Sequence, residues 1–260
     1  MKISLITVCF NSARTIETAI ESVFSQKGVD IEYIIIDGAS QDGTVDVIKE
    51  YEVRSLEWRS GGVGDVFEFK WISECDRGMY DALNKGISLA TGDVVGILNS
   101  DDMLESAETL SCVAAAFEKD IDCIYGDIRF VKSDLQTTIR YYGARHWSPW
   151  MHNFGYMPPH PSVYIRRECF NKFGGYKLGY KISADFELMV RYLCRNRISV
   201  KYLPRCLVKM RMGGLSTRNW RSNILLNKEN VRANRENGYF SCFLMMLPKY
   251  FFKIWGFIHI

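Results

Sequence analysis

Residues 94–103, VVGILNSDDM, pass from an apolar run straight into two adjacent carboxylates, and their reading decides the fold. Val94 to Leu98 show no polar alternation, which suits a strand covered on both faces and therefore a parallel sheet. Asn99, Ser100, Asp101 and Asp102 then fall at the carboxyl end of that strand. Neighbouring carboxylates repel unless a helix end, a basic partner or a cation relieves them. A hard divalent ion, Mg²⁺ or Mn²⁺, held by Asp101 and Asp102 together with substrate phosphates would do so. On its own, Asp102 is better explained as the cap of a helix expected to begin near Leu104, with Asp101 solvated.

Outward from this stretch the pattern repeats. Toward the N-terminus, ISLITVC (3–9), DIEYIIID (30–37) and FKWISEC (69–75) read as further buried strands. Between them, ARTIETAIESVFSQ (13–26) puts Ile16, Ala19, Ile20, Val23 and Phe24 on one helical face, with Asn11 or Ser12 as its cap. DGTVDVIKEY and GMYDALNKGISLA supply two more helices, the latter turning Tyr80, Leu83, Ile87 and Ala90 inward. Alternating strands and helices with short connections predict an α/β fold: a mostly parallel central sheet with helices on both faces and a Rossmann-like N-terminal half. Ligands of such sheets bind beyond the carboxyl ends of the strands, so Phe10, Asn11, Asp37, Asp76, Asp101 and Asp102 are expected to converge.

Individually these residues have modest alternatives. Asp37, in IIIDGASQDGT, suits a nucleobase N–H or ribose hydroxyls, although turn chemistry explains much of that segment. Asp81 and Lys85 are spaced for a surface ion pair, whereas Asn84 and Lys85 would also reach a diphosphate. Asp185, in ISADFELMV, lies in a first helical turn where an acid is favoured by the dipole alone, with Ser183 as cap, yet it adjoins the apolar stripe Phe186, Met189, Val190, Leu193. His160, in PPHPSV, reads as a loop histidine or an acceptor contact. No GxGxxG follows the first strand and no Gly-Lys-Ser/Thr phosphate loop is present, which argues against ordinary NAD enzymes and NTPases.

Taken in order, ISLITVCFNSARTIETAIESVFSQ, IIIDGASQDGT, ECDRGMYDALNKGISLATGDVVGILNSDDM, YGD, HPSVYIRRECFNKFGGY and ADFELMVR resemble bacterial family 2 glycosyltransferases over roughly residues 1–215. The resemblance implies a GT-A fold, a nucleotide-sugar donor, a divalent metal and inversion at the anomeric carbon. It places Asp185 as the base that deprotonates the acceptor hydroxyl, and Phe10, Asn11, Asp37, Asp76, Asn84, Lys85, Asn99 and Asp101 on the donor side. It likens MRMGGLSTRNW (210–220) to a Gly-Gly-x-Ser stretch near the donor, from which Arg211, Arg218 or Arg221 would clamp phosphates. Two departures stand out. The usual Asp-x-Asp metal motif opens here with Asn99, and the base-binding turn reads Asp37-Gly38-Ala39-Ser40 instead of Asp-Asp-Gly-Ser. The catalytic domain is expected over 1–215, with a nucleotide-sugar half (1–102) and an acceptor half (103–215).

Charge and tail suggest where such an enzyme works. Residues 1–100 carry 9 Lys/Arg against 16 Asp/Glu, while residues 201–260 carry 11 against 2. An acidic front half suits a cation, and a basic tail suits phosphates or an anionic membrane. Between Lys201 and Arg235 there are nine basic residues and a single acid, Glu229. The last 21 residues hold 15 apolar or aromatic side chains, interrupted by Pro248, Lys249 and Lys253, a pattern for a segment lying in a membrane surface or packed on the domain. Residues 216–260 thus read as a basic helix and apolar tail. A cytoplasmic enzyme, peripheral at the inner face of the plasma membrane and acting on a saccharide acceptor such as one carried on a polyprenyl diphosphate, is the expectation. The eight cysteines form no CxxC pair and read as reduced thiols. A non-catalytic nucleotide-sugar binder and a nucleotidyltransferase are the neighbouring alternatives. A nucleic-acid-binding module is a weaker alternative that the basic tail would suit, but no stacking motif or recognition-helix signature accompanies the charge, and no nucleic-acid partner is expected.

Overall fold

The computed structural model describes residues 1–60, 66–212 and 220–248. The apolar runs form the strands β1 (Lys2–Cys9), β2 (Asp30–Asp37), β3 (Phe67–Ser73) and β4 (Val94–Ile97), connected through α1 (Ile16–Phe24), α2 (Thr44–Ser60) and α3 (Met79–Leu89). Alternate side chains of each strand enter opposite cores: Ile6, Ile34 and Ile36 face α3, whereas Ile3, Leu5, Ile31, Tyr33 and Ile35 face α1 and α2. Each such isoleucine contributes roughly 1.5–3 kcal/mol by leaving water.

The second half adds β5 (Met103–Leu104), α4 (Thr109–Ala116), the hairpin of β6 (Cys123–Val131) and β7 (Thr138–Tyr142), then β8 (Val163–Arg166), α5 (Arg167–Phe173), α6 (Ala184–Met189), β9 (Val200–Arg211) and α7 (Trp220–Glu236). The sheet order is β3-β2-β1-β4-β8-β6-β9-β5, with β7 on β6. Parallel pairing joins β1 to β2 and β4, β2 to β3, and β6 to β9, while β8, β7 and β5 pair antiparallel with their neighbours. Strand order reverses between β1 and β4, which opens the crevice where α/β sheets bind ligands. Because β8 runs against β4, its start lies at the same edge as the end of β4.

Three local expectations are corrected. No helix begins near Leu104: Met103 and Leu104 pair with Lys209 and Val208, and α4 starts only at Thr109. Asp102 is therefore not a helix cap. At α1 the N-cap is Thr15, without a side-chain cap bond, and the Ser12 carbonyl accepts from the Thr15 and Ile16 N–H groups. The Asp81–Lys85 pair does not form, since Arg77 takes Asp81 at 3.0 Å and Lys85 takes Glu74 at 2.8 Å. The stripe Phe186, Met189, Val190 and Leu193 is buried as read, although the helix loosens into a π-helical turn over Val190–Arg195.

Candidate active site

Five neighbouring strands set out the site along one edge. Four interstrand steps of about 4.8 Å separate β3 from β8, roughly 19 Å in all. At the β3–β2 end, Phe10 is 65% exposed beside Gly38 and Asp76. A Cβ on Gly38 would lie 2.8 Å from Asp76 Oδ2 and 3.3 Å from Phe10 Cδ2, so only glycine lets these two approach. Asp76 Oδ1 accepts from the Gly78 N–H. Asn11 has φ +50°, a left-handed geometry asparagine tolerates, and its Oδ1 accepts from the Gln41 N–H.

Asp37 lies behind this surface rather than on it. It is fully buried, and its carboxylate accepts from the Ser40 N–H and hydroxyl, from Ser73 Oγ at 2.6 Å and from Cys9 Sγ. Its observed work is to hold the β2 turn that presents Gly38 beside Phe10.

In the middle of the edge, the hydroxyls of Ser12 and Ser100 meet at 3.1 Å, joining the β1 and β4 loops. The adjacent aspartates differ in their surroundings. Asp102 is buried, accepting from Asn99 Nδ2 at 2.7 Å and from the Arg211 N–H at 3.2 Å. Burial, reinforced by the charge of Asp101, pushes its carboxyl up to about 7. Asp101 is partly exposed and also raised by burial, with Arg211 opposing the shift. Among the described residues its carboxylate has no side-chain partner. Arg211 braces this loop: Nε donates to the Asp101 carbonyl at 3.0 Å, Nη2 to Thr18 Oγ1 at 3.0 Å, and Nη1 to the Ser133 carbonyl.

At the β8 end, His160 and Tyr176 share a 2.7 Å hydrogen bond, and Tyr176 stacks on Tyr80 with ring centroids 5.7 Å apart. The Tyr80 hydroxyl donates to the Ile182 carbonyl and lies 3.4 Å from Asp185 Oδ1, which also accepts from the Phe186 N–H. Burial raises the Asp185 carboxyl, with His160 opposing it, and burial lowers His160. His160 is thus chiefly neutral near pH 7, and Asp185 has the character of a base with elevated proton affinity.

Two expected donor contacts are occupied elsewhere. Asn84 spends its amide on the Tyr176 backbone, donating to its carbonyl and accepting from its N–H, both at 2.8 Å. Lys85 is tied to Glu74 and to the Cys75 carbonyl. Arg218 and the Gly213–Gly214 pair lie outside the described residues. In turn, sequence reading passed over Glu229, whose buried carboxylate accepts from three successive N–H groups, Lys181, Ile182 and Ser183, at 2.8–2.9 Å. The signal was present, as Glu229 is the single acid of a basic stretch.

A family model described as "Glycosyl transferase family 2" matches residues 4–177, from within β1 to beyond β8. The chain belongs to glycosyl transferase family 2. Among curated proteins, this glycosyltransferase is 28% identical over 232 residues to a PGL/p-HBAD biosynthesis glycosyltransferase of Mycobacterium bovis, covering 88% of this chain and 82% of that one. Among solved structures it is similar to Staphylococcus aureus TarS 1–349 in complex with UDP-GlcNAc (TM-score 0.63, 16% identity, 90% of this chain and 68% of that one). It is also similar to the Pyrobaculum calidifontis mannosyltransferase PcManGT in complex with GDP-Man and Mn²⁺ (TM-score 0.63, 16% identity, 88% and 64%). A further structure of TarS 1–349 matches with a TM-score of 0.62, this glycosyltransferase spanning 65% of that fragment. These likenesses give it the GT-A fold.

Among its described residues, no group of three or more His, Cys, Asp or Glu could hold a metal ion. The donor set nonetheless fits a divalent ion of the Mg²⁺ kind, which takes one or two carboxylates and completes its shell with water and phosphate. Asp101 offers that carboxylate, while Asp102 is committed to Asn99 and Arg211.

Proposed function

We propose that this glycosyltransferase inverts the anomeric centre as it moves a sugar from a nucleoside diphosphate to an acceptor hydroxyl. The carrying observation is the order along the sheet edge: an exposed aromatic face at Phe10, the Ser12–Ser100 junction with Asp101, then His160 and Asp185. A base on Phe10, a diphosphate at Asp101 and a sugar toward Asp185 follow that order. Asp185 takes the proton of the acceptor hydroxyl as its oxygen bonds to the anomeric carbon and the bond to the diphosphate breaks, giving an oxocarbenium-like transition state. When bound at Asp101, a divalent ion supplies positive charge to the departing diphosphate. His160 orients Tyr176, and Tyr80 fixes the Ile182 carbonyl next to Asp185.

The UDP-GlcNAc and GDP-Man complexes of the structural neighbours support a nucleotide-sugar donor, and the Mn²⁺ of PcManGT supports the cation. We assign a lipid-diphosphate-linked saccharide as acceptor and a membrane surface as the place of work. The composition of the tail supports this, although residues 249–260 lie outside the described residues. No helix among the described residues is long and apolar enough to cross a membrane.

The test is a thermal-shift panel of UDP- and GDP-sugars with and without Mn²⁺, followed by transfer to a model acceptor and determination of product anomericity. A donor at 100 times its Kd raises stability by about 2.7 kcal/mol. Retention of anomeric configuration would overturn the single-displacement mechanism. Binding without transfer to any acceptor would favour the non-catalytic alternative.

A further inference from the structure

Behind the acceptor end, the chain leaves apolar side chains in water. The turn Phe243–Met246 is fastened by Met246, which is fully buried, and packs against α7 and the turn Pro149–Phe154. The other side chains of this corner point outward: Phe240 is 80% exposed, Leu244 73%, Trp150 60% and Phe243 45%. Single exposed apolar residues are ordinary, but a cluster of this kind marks an interaction surface. Beside it lies a recess of about 440 Å³ lined by Trp150, Leu193, Cys194, Ile198, Tyr239 and Arg197.

The charge around the corner selects its partner. Arg195, Arg197 and Arg235 are exposed, and the first two act electrostatically on Tyr239 at the recess, while Arg235 Nε donates to the Ser241 carbonyl. Apolar side chains flanked by arginines match the boundary between acyl chains and anionic headgroups. The corner is also close to the chemistry. From Glu229, which holds the Asp185 loop, α7 needs six residues to reach Arg235, about 9 Å of helix.

We infer that this corner, Trp150, Phe240, Phe243 and Leu244 with Arg195, Arg197 and Arg235, docks the enzyme on an anionic bilayer so that the Asp185 end faces the lipid. The inference deepens the membrane reading given above and rests on it.

The experiment is co-sedimentation of the full chain with phosphatidylglycerol/phosphatidylcholine vesicles and with pure phosphatidylcholine vesicles, beside donor thermal shift and transfer to a soluble acceptor. The parent is expected to bind the anionic vesicles and to release with salt. The double variant Phe243→Glu/Leu244→Glu is expected to lose binding, and Arg195→Glu/Arg197→Glu to weaken it at least about tenfold. Both are expected to keep the donor shift and soluble transfer. Equal binding by parent and variants would overturn the proposal by assigning attachment to residues 249–260. Absence of vesicle binding, or a dimer dissolved by Phe243→Glu/Leu244→Glu, would overturn it in favour of a covered or self-associating corner. Loss of donor shift and soluble transfer in the parent itself would instead fail the catalytic reading, so the two failures are distinguishable.

Discussion

Asp185 and Asp102 are both carboxylates with raised proton affinity in different surroundings. Asp185 keeps partial access to solvent beside the neutral His160, so Asp185→Asn is expected to lower kcat by about 10²–10⁴-fold with donor Kd unchanged, measured by steady-state kinetics and calorimetry. Asp102 is enclosed, and its folded-state pKa near 7 exceeds the ordinary 3.8. The folded protein therefore holds this proton more tightly than the unfolded chain, and the resulting stabilisation is full below about pH 4 and lost as pH rises through 7. In Asp102→Asn, Tm measured without metal should accordingly fall less between pH 4 and 7 than in the parent. Sequence alone named both Asp101 and Asp102 as ligands, with a helix cap as the alternative for Asp102. The difference comes from Asn99 and Arg211, and the separation of 109 positions between Asp102 and Arg211 puts that partner beyond any local pattern.

At the level of elements, α7 and β9 support opposite sides of the site. Glu229 receives three consecutive N–H groups of the segment entering α6, a backbone arrangement that binds anions in general. Displacing a positioned base by about 1 Å can cost 10²-fold. Glu229→Gln, which keeps the shape but weakens the acceptor, is expected to reduce kcat about 10- to 100-fold with donor KM unchanged, whereas a purely structural role would lower Tm and active fraction alone. Helix α3 rests on β1 through Gly86, where a Cβ would come within 2.5 Å of Ile6 Cγ2. Gly86→Ala should thus cost about 1–3 kcal/mol in urea unfolding despite its better helix propensity. The strands β1 to β4 and their helices were legible because buried parallel strands and amphipathic helices carry their periods in the chain itself. Strand β5 was not, since two residues hold no period and only pairing with β9 defines them.

Across the whole molecule, the topology predicted from the first hundred residues carries over, with β8, β7 and β5 running against the rest. Strand order sets Phe10, Asp76 and Asp101 just beyond the carboxyl ends of neighbouring strands, as read from the chain. It was less informative for Asp37, Asn84 and Lys85, whose bonding to the body of the protein depends on three-dimensional neighbours. The division between an acidic first hundred residues and a basic last sixty also has a measurable expression. Anionic vesicles should capture the chain more weakly as ionic strength rises, with little change for soluble donor affinity beyond the screening of the diphosphate itself.

The reversal of β8 has an evolutionary reading. Since a strand that begins at the working edge is preceded there by its own connection, residues 144–162 reach that edge independently of the loops that follow β1, β2 and β4. If the proposed acceptor side is right, a chimera exchanging only that connector between relatives is expected to change the recipient while leaving the donor-induced thermal shift unchanged.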